Sequence, residues 1–204
     1  MLTVMSQLSS EELAALNHIA DEVRETFGAR GHLVDAALSQ DRAFRRNEIP
    51  RSSLSRALVT DAVQAAASQA GVWCDAGAAV DVRAGAGKVF RLKRAQLTSE
   101  GEYKIVTNSA STWGELEEDA LLAEEPWVLA YTLGDGGIGS VFVAPVRGVT
   151  EGNPGVVILG PITHLGSGTL PPMGTFRPDE DTDLPGFDID TDTEENEGLG
   201  FSAG

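Results

Sequence analysis

The chain has 204 residues, of which 42% are hydrophobic and 23% charged, and its formal net charge is −16. This length and composition predict one folded domain with a sizeable core. The single cysteine, Cys74, excludes an internal disulfide framework and a cysteine-rich zinc site. No apolar run approaches the roughly 18 to 20 residues that cross a bilayer, so we expect a cytoplasmic protein with no membrane contact.

The negative charge is concentrated near the C-terminus. Residues 179–197 contain ten acidic residues and no basic one, and without them 15 basic and 21 acidic (31 − 10) residues remain, a net charge of −6. Residues 166–204 have too few large apolar side chains to offset the entropy lost on ordering. We predict a flexible N-terminus over 1–8, a single α+β domain over 9–165 and a disordered acidic tail over 166–204.

The first secure element is a helix that follows Ser9. Ser9 and Glu12 have the spacing of a capping box, in which each side chain bonds the other residue's backbone N–H. Apolar residues then recur at helical spacing as far as Phe27. Gly28 or Gly31 is expected to end this helix in a left-handed conformation.

Two more helices are predicted before residue 71. Residues 33–38 suit a short helix, which leads into an arginine-rich stretch. A longer helix is predicted from about Ser52 to Ala70, with Ser52 or Ser53 as its N-cap. Its alanine content favours a helix and a close approach to a sheet.

From residue 72 the apolar period changes to that of β strands. Residues 79–82 and 89–92 are predicted to form a hairpin over the glycine-containing turn at 84–87. Residues 102–107 form a third predicted strand, and a short acidic helix is expected over 114–123.

The most apolar stretch, 126–165, predicts three consecutive antiparallel strands at 127–133, 138–149 and 156–159. Proline cannot donate to a ladder, so Pro145 should lie at a sheet edge or a bulge. The fold class is therefore α+β, with N-terminal helices on an antiparallel sheet of about six strands, either open or partly closed into a barrel. The residues expected to be most buried are Trp127, Leu129, Tyr131, Phe142, Val157 and Leu159.

The glycines at 134–139 match G-x-G-x-x-G, but a strand pattern follows them instead of a helix. Without a helix N-terminus a pyrophosphate has no dipole to bind, so we interpret this segment as a hairpin turn. No cofactor is predicted, and a metal ion enters only through the alternative of an Mg²⁺-dependent nuclease.

Asp81, Glu102 and Lys104 form the pattern closest to a catalytic site. An acid on one strand followed by E-x-K on a later strand is typical of Mg²⁺-dependent nucleases, where two carboxylates hold the metal ion and the lysine positions water. The alternative is an exposed strand face with a cross-strand ion pair.

Positive charge is concentrated in two short stretches. The first contains Arg42, Arg45, Arg46, Arg51 and Arg56, and the second contains Arg83, Lys88, Arg91, Lys93 and Arg94. The first stretch precedes and enters a predicted helix, a pattern suited to phosphate contacts and nucleic-acid binding, with the acidic tail as an intramolecular competitor. The alternative is a solvated helix face paired with Asp41, Glu48 and Asp61.

No motif of high specificity indicates catalysis, and whether the chain is an enzyme stays open. Segregated charge and an acidic tail favour a non-catalytic protein-interaction or regulatory protein, whose partner is another protein, a basic one in the case of the tail. The nucleic-acid-binding protein and the Mg²⁺ nuclease are the alternatives. The sequence leaves the oligomeric state undetermined.

Overall fold

The computed structural model describes residues 7–77, 79–85, 88–107, 126–134, 137–152 and 154–166. These ranges contain three α-helices, one short 3-10 helix and ten β strands, so the predicted α+β class is confirmed. The predicted acidic helix at 114–123 and the predicted tail beyond residue 166 lie outside the described residues. No helix in the described ranges combines the length and the apolar character needed to cross a membrane.

The first helix, α1, spans Ser10–Arg30 and begins as predicted. The Ser9 hydroxyl accepts from the Glu12 backbone N–H, and the Glu12 carboxylate accepts from the Ser9 N–H. The left-handed ending is wrong, because Gly31 has φ −58°. Gly31 is needed for space instead: a Cβ there would lie 2.5 Å from the carbonyl oxygen of Phe27.

Three helical segments follow at close intervals. They are α2 (His32–Ser39), the 3-10 helix η1 (Arg42–Arg45) and α3 (Ile49–Gln69). Helix α3 begins about one turn earlier than predicted, so the expected serine cap is wrong. Pro50 lies in its first turn, where proline's missing N–H costs no helical hydrogen bond.

The strands carry the predicted central hairpins. Their bounds are β1 (Trp73–Ala76), β2 (Val80–Ala84), β3 (Lys88–Arg94), β4 (Gln96–Leu97), β5 (Tyr103–Lys104), β6 (Val106–Thr107), β7 (Trp127–Gly134), β8 (Gly137–Val149), β9 (Gly155–Leu159) and β10 (Thr163–His164). The β2–β3 hairpin and the three core strands β7, β8 and β9 confirm the period-2 pattern. The predicted strand at 102–107 is divided into β5 and β6 at Ile105.

The main sheet is mixed, so a purely antiparallel sheet was the wrong prediction. Its strand order is β1-β2-β3-β7-β8-β9-β6, and β10 also pairs with β8. Strand β3 pairs with β7 in parallel, with Leu92 opposite Leu129. A long connection separates these two strands in sequence, and a parallel pair requires such a crossover.

The sheet curls into a half-barrel. After Ala95 the chain of β3 continues into β4, which pairs with β5, and β6 pairs with β9 on the far side. The inside of the curl holds a separate apolar cluster that includes Ile105, Phe142 and Val157. The helices α1 and α3 cover the other face of the sheet and form the larger cluster around Leu16, Val63, Phe90 and Leu129.

Strand β7 is buried on both faces. Trp127, Leu129 and Tyr131 point into the helix-covered cluster, whereas Val128 and Ala130 point into the curl. Five of the six residues predicted to be most buried are buried; Leu159 is half-buried. The sequence pattern predicted burial for one face of β7. The second face is also buried because the sheet curls.

Pro145 lies in β8, which is an interior strand, so the predicted position at a sheet edge is wrong. The other predicted position was a bulge, and an irregularity in the strand pairing lies close to the proline. Pro145 pairs with Trp127 of β7, and its carbonyl accepts from the Gly160 N–H. The pairing of β8 shifts register between Val146 and Gly148, just beyond the proline. The missing N–H of Pro145 therefore falls where β9 has ended and β10 has not begun.

Candidate functional sites

The three residues of the nuclease pattern lie in two different sheets. Asp81 is on β2, and both its carboxylate oxygens accept from Arg91 of β3, Oδ1 from Nε at 2.9 Å and Oδ2 from Nη2 at 3.0 Å. Glu102 precedes β5 and Lys104 lies on it, both exposed. Asp81 and Arg91 are direct cross-strand partners, which is the ion pair that the alternative interpretation expected.

A metal ion at Asp81 would have to replace a bidentate partner. The hydrogen bond that Arg91 donates to Asp81 raises the pKa of Arg91, so the guanidinium stays charged. Within the described ranges, no group of three or more His, Cys, Asp or Glu side chains is placed to hold a metal ion. The Mg²⁺ site stays a prediction, and Mg²⁺- or Mn²⁺-dependent cleavage of DNA or RNA by purified protein is its test.

The most solvent-exposed stretch of the described chain is residues 39–49, which we call the arginine segment. All eleven residues from 39 to 49 are exposed, and they include η1. The Asp41 side chain accepts from the Ala43 N–H at a distance of 2.6 Å, and this hydrogen bond caps the start of η1. The segment therefore has a defined conformation at the surface, and η1 packs beside α2 and α3.

The arginine segment combines positive charge that has no described carboxylate partner with exposed apolar side chains. In the described part of the chain, no carboxylate lies within ion-pair distance of Arg42, Arg45 or Arg46. Phe44 is 46% exposed and Ile49 is 70% exposed. Phe44 and Ile49 lie among the arginines in the sequence, and two large apolar residues in a polar stretch are a signal of a contact surface.

Of the acids expected to neutralise this stretch, Asp61 has another partner. Asp61 pairs with Arg30 at 2.6 Å, and Arg51 pairs with Asp35 of α2, also at 2.6 Å. Neither pair involves the arginine segment. The alternative of a solvated helix face with paired charges thus holds for Arg51, through Asp35 instead of one of the three expected acids.

The two basic stretches of the sequence converge where the start of α3 meets the end of β3. Burial lowers the pKa of Lys93, and the charges of Arg91 and Arg56 lower it further, against an opposing effect of Asp81. Burial raises the pKa of Tyr131, while Arg94 and Arg56 act to lower it. Arg56 of α3 therefore acts on groups of both β3 and β7.

A cleft of about 410 Å³ opens beside this junction. Its polar lining consists of Asp35, Arg51, Ser55 and Arg94. Arg51 is neutralised by Asp35, whereas Arg94 has no hydrogen bond or ion pair to another described side chain. Ser55 is 2% exposed.

The other residues that line the cleft are apolar residues and glycines. Phe27, Val34 and Leu133 contribute side chains, and Gly31 contributes open backbone. Phe27 and Val34 belong to the buried set, so these walls are held by the core. No sequence pattern indicates this cleft, because its lining comes from four separate stretches of the chain, 27–35, 51–55, 94 and 133–137.

Cys74 is half-buried on β1 and packs against the helix-covered cluster. Burial raises the pKa of its thiol, and the nearby carboxylates of Asp75 and Asp81 raise it further. A thiol with a raised pKa is a weak nucleophile at neutral pH. Cys74 therefore has the surroundings of a structural thiol.

Comparison with models of known protein families, with curated proteins and with solved structures finds no match.

Proposed function

We propose that this chain is a non-catalytic protein-interaction protein of a regulatory kind, which binds an acidic segment of another protein through residues 39–49. The observation that carries the proposal is the exposure of Phe44 and Ile49 among three arginines without described carboxylate partners. Aromatic residues and arginine are enriched at protein interfaces and provide much of their binding energy. A complementary partner surface carries carboxylates beside apolar groups.

A photo-crosslinking amino acid at position 44 in the source cell tests this function. We expect covalent adducts with protein, and their loss when Arg42, Arg45 and Arg46 are all changed to Glu. The same crosslinker at the exposed position Glu100 is the matched control and should not give these adducts. Adducts that survive the charge reversal, or the absence of protein adducts at position 44, would contradict the proposal.

Nucleic-acid binding is the second candidate, favoured by the electrostatic coupling of Arg56 with Lys93. Arg42, Arg45, Arg46, Arg51 and Arg56 would then contact phosphates, and the acidic stretch 179–197 would compete for them. Neutralising its ten acids to Asn or Gln in the full chain should raise affinity for DNA or RNA. A neutralised chain without salt-sensitive binding rejects this candidate.

Phe44→Leu separates the two candidates. Leucine keeps apolar contact area for a protein partner but removes the ring on which a base stacks, a contribution of about 1 to 3 kcal/mol per base. Protein crosslinking from a neighbouring position should persist in this variant. Binding of single-stranded RNA should weaken about tenfold or more if nucleic acid is the ligand.

A further inference from the structure

The main sheet ends at β1 with an edge that no described strand covers. Strand β1 is the first in the strand order, and within the described ranges it pairs only with β2. No backbone hydrogen bond joins β1 to another segment of the described chain. A strand at an edge presents N–H and C=O groups without a strand partner, and an extended peptide can pair with them as an additional strand.

Side chains on the face away from the helices lie in rows across β1, β2 and β3. Cys74, Val82 and Phe90 belong to the helix-covered cluster, so their neighbours along each strand point to the opposite face. The strand registers arrange these neighbours in two rows, one of Trp73, Arg83 and Val89 and one of Asp75, Asp81 and Arg91. Trp73 and Asp75 are exposed at the outer ends of the rows, where a strand added beside β1 would meet them.

The Asp75 carboxylate lacks a described cation. It lies directly opposite Asp81, whose two oxygens are bound by Arg91. Within the described chain Asp75 accepts a hydrogen bond from the Gly77 N–H at 3.2 Å and forms no ion pair. Like charges directly opposite each other on neighbouring strands are destabilising, whereas opposite charges stabilise. A lysine or arginine opposite Asp75 on an added strand would therefore relieve the repulsion.

Trp73 provides an apolar contact at the same edge. It is 51% exposed, and the Arg83 guanidinium lies 4.9 Å from its ring centroid. Tryptophan is among the residues that contribute most to binding at protein interfaces. Aromatic residues pair favourably with β-branched residues across strands. A β-branched residue two positions from the cation of the added strand would lie opposite Trp73.

A second copy of this chain fits the edge less well than a basic segment does. Symmetric antiparallel pairing of two β1 strands has few registers, because the strand has four residues. A register centred on Asp75 brings two carboxylates together, and one centred on Cys74 places Trp73 opposite Asp75. A register centred between Cys74 and Asp75 places these two residues opposite each other. None of these registers gives Asp75 a cation.

We propose that β1 binds an extended basic segment of another protein by strand addition, with a lysine or arginine opposite Asp75 and a β-branched residue opposite Trp73. A charge on an edge strand deters pairing that leaves it without a counter-charge, so Asp75 selects basic segments. This inference goes beyond the proposed interaction function, because it uses a different surface and a partner segment of opposite charge. It involves no chemical step.

The probe is the peptide acetyl-Thr-Val-Lys-Val-Thr-amide, whose central lysine can lie opposite Asp75 in either strand direction. In the ¹H–¹⁵N NMR spectrum of the full chain we expect saturable shifts of the β1 amides, with a dissociation constant on the order of 1 mM for so short a peptide. The same peptide with glutamate in place of lysine should bind at least about threefold more weakly. A peptide with methyl groups on all backbone nitrogens cannot donate to the strand and should bind about tenfold more weakly.

Variants of the two exposed residues test the register. Asp75→Lys should prefer the glutamate peptide over the lysine peptide by at least about threefold, the reverse of the wild type. Glu100→Lys is the matched control, since Glu100 is exposed between the two strands of the smaller sheet, and it should keep the wild-type preference. Trp73→Thr keeps a residue suited to a strand but removes the ring, and should weaken the lysine peptide about fivefold.

Three results in this titration would each overturn the proposal. They are the absence of saturable β1 shifts up to about 10 mM peptide, ten times the expected constant, the same charge preference in the wild type and Asp75→Lys, and equal affinity for the methylated peptide. Sedimentation of the wild type tests the other occupant, since a dimer that is lost in Trp73→Thr would assign the edge to a second copy. Circular dichroism of each variant confirms that it is folded.

Discussion

Two charged regions of this protein are built in opposite ways. Glu12 and Lys88 form an ion pair with side chains only 5% and 18% exposed, in which Lys88 Nζ lies 3.0 Å from Glu12 Oε2 and also donates to the Gln7 carbonyl. The arginine segment, in contrast, has three guanidinium groups in solvent without described carboxylate partners. Both regions were visible in the sequence as charge, and only their surroundings differ.

The difference shows where charge serves the fold and where it is available for binding. A nearly buried charge is tolerated only with a complete set of partners, which Glu12 has in Ser9 and Lys88. Exposed arginines do little for stability. Mutations of the first region should therefore act on unfolding, and mutations of the arginine segment should act on binding.

The largest expected effect is that of Lys88→Met. It leaves the Glu12 carboxylate nearly buried without its cation, and we expect the free energy of unfolding to fall by about 2 to 3 kcal/mol. Urea unfolding measures this loss. Lys104→Met, at an exposed position, is the matched control and should stay within about 0.5 kcal/mol of the wild type. Equal effects of the two variants would remove the distinction between the regions.

The same ion pair predicts a pH dependence. Burial acts to raise the pKa of Glu12, but the Ser9 N–H and Lys88 outweigh it, so the pKa lies below the ordinary value of 4.5. A carboxyl with a lowered folded-state pKa contributes stability that is fully present above its unfolded value and is lost as the pH falls through the folded value.

We therefore expect wild type and Glu12→Gln to differ most at neutral pH and to converge as the pH falls below 4.5. Denaturant unfolding across pH 3 to 7 measures the difference. A constant difference over this range would show that folding does not lower the pKa of Glu12.

The half-buried pair Asp81–Arg91 should lie between the two extremes. Its side chains are 21% and 23% exposed, and its geometry is bidentate. A double-mutant cycle with Asp81→Ala and Arg91→Ala should give a coupling of about 0.5 to 1 kcal/mol. A coupling near zero would indicate that Asp81 is free for another role, such as metal binding.

The smallest expected effect on stability is that of the triple variant of Arg42, Arg45 and Arg46 to Gln. Its free energy of unfolding should change by less than about 0.5 kcal/mol, because these side chains have no described ion pair to lose. Crosslinking from position 44 should decrease in the same protein. A large loss of stability would assign the arginines to the fold.

Local patterns predicted the elements well. The capping box at Ser9, the β2–β3 hairpin and the three core strands each follow from residues close together in sequence. The end of α1 at Gly31 is among the predicted positions, but the left-handed conformation expected there and the predicted start of α3 were wrong for tertiary or steric reasons that periodicity does not contain. At Gly31 the deciding contact is with Phe27, and at the start of α3 the deciding residue is Pro50.

The candidate sites were predicted only in part. The arginines and Asp81 could be singled out by residue type, but their partners are set by pairings across the chain: Asp35 with Arg51, and Arg91 with Asp81. Ser55 had no signal, since a serine in a helix is ordinary. It becomes notable only through burial beside Arg94 in one cleft.

The sequence by itself determined the α+β class, the apolar strands of 126–165 and the two stretches of positive charge, because these depend on neighbours within a few residues. The tertiary structure decided the parallel pairing of β3 with β7, the curl that buries both faces of β7, and the electrostatic effect of Arg56 on the pKa of Lys93. These depend on contacts between distant segments, whose free energy comes from packing surfaces that no local pattern specifies.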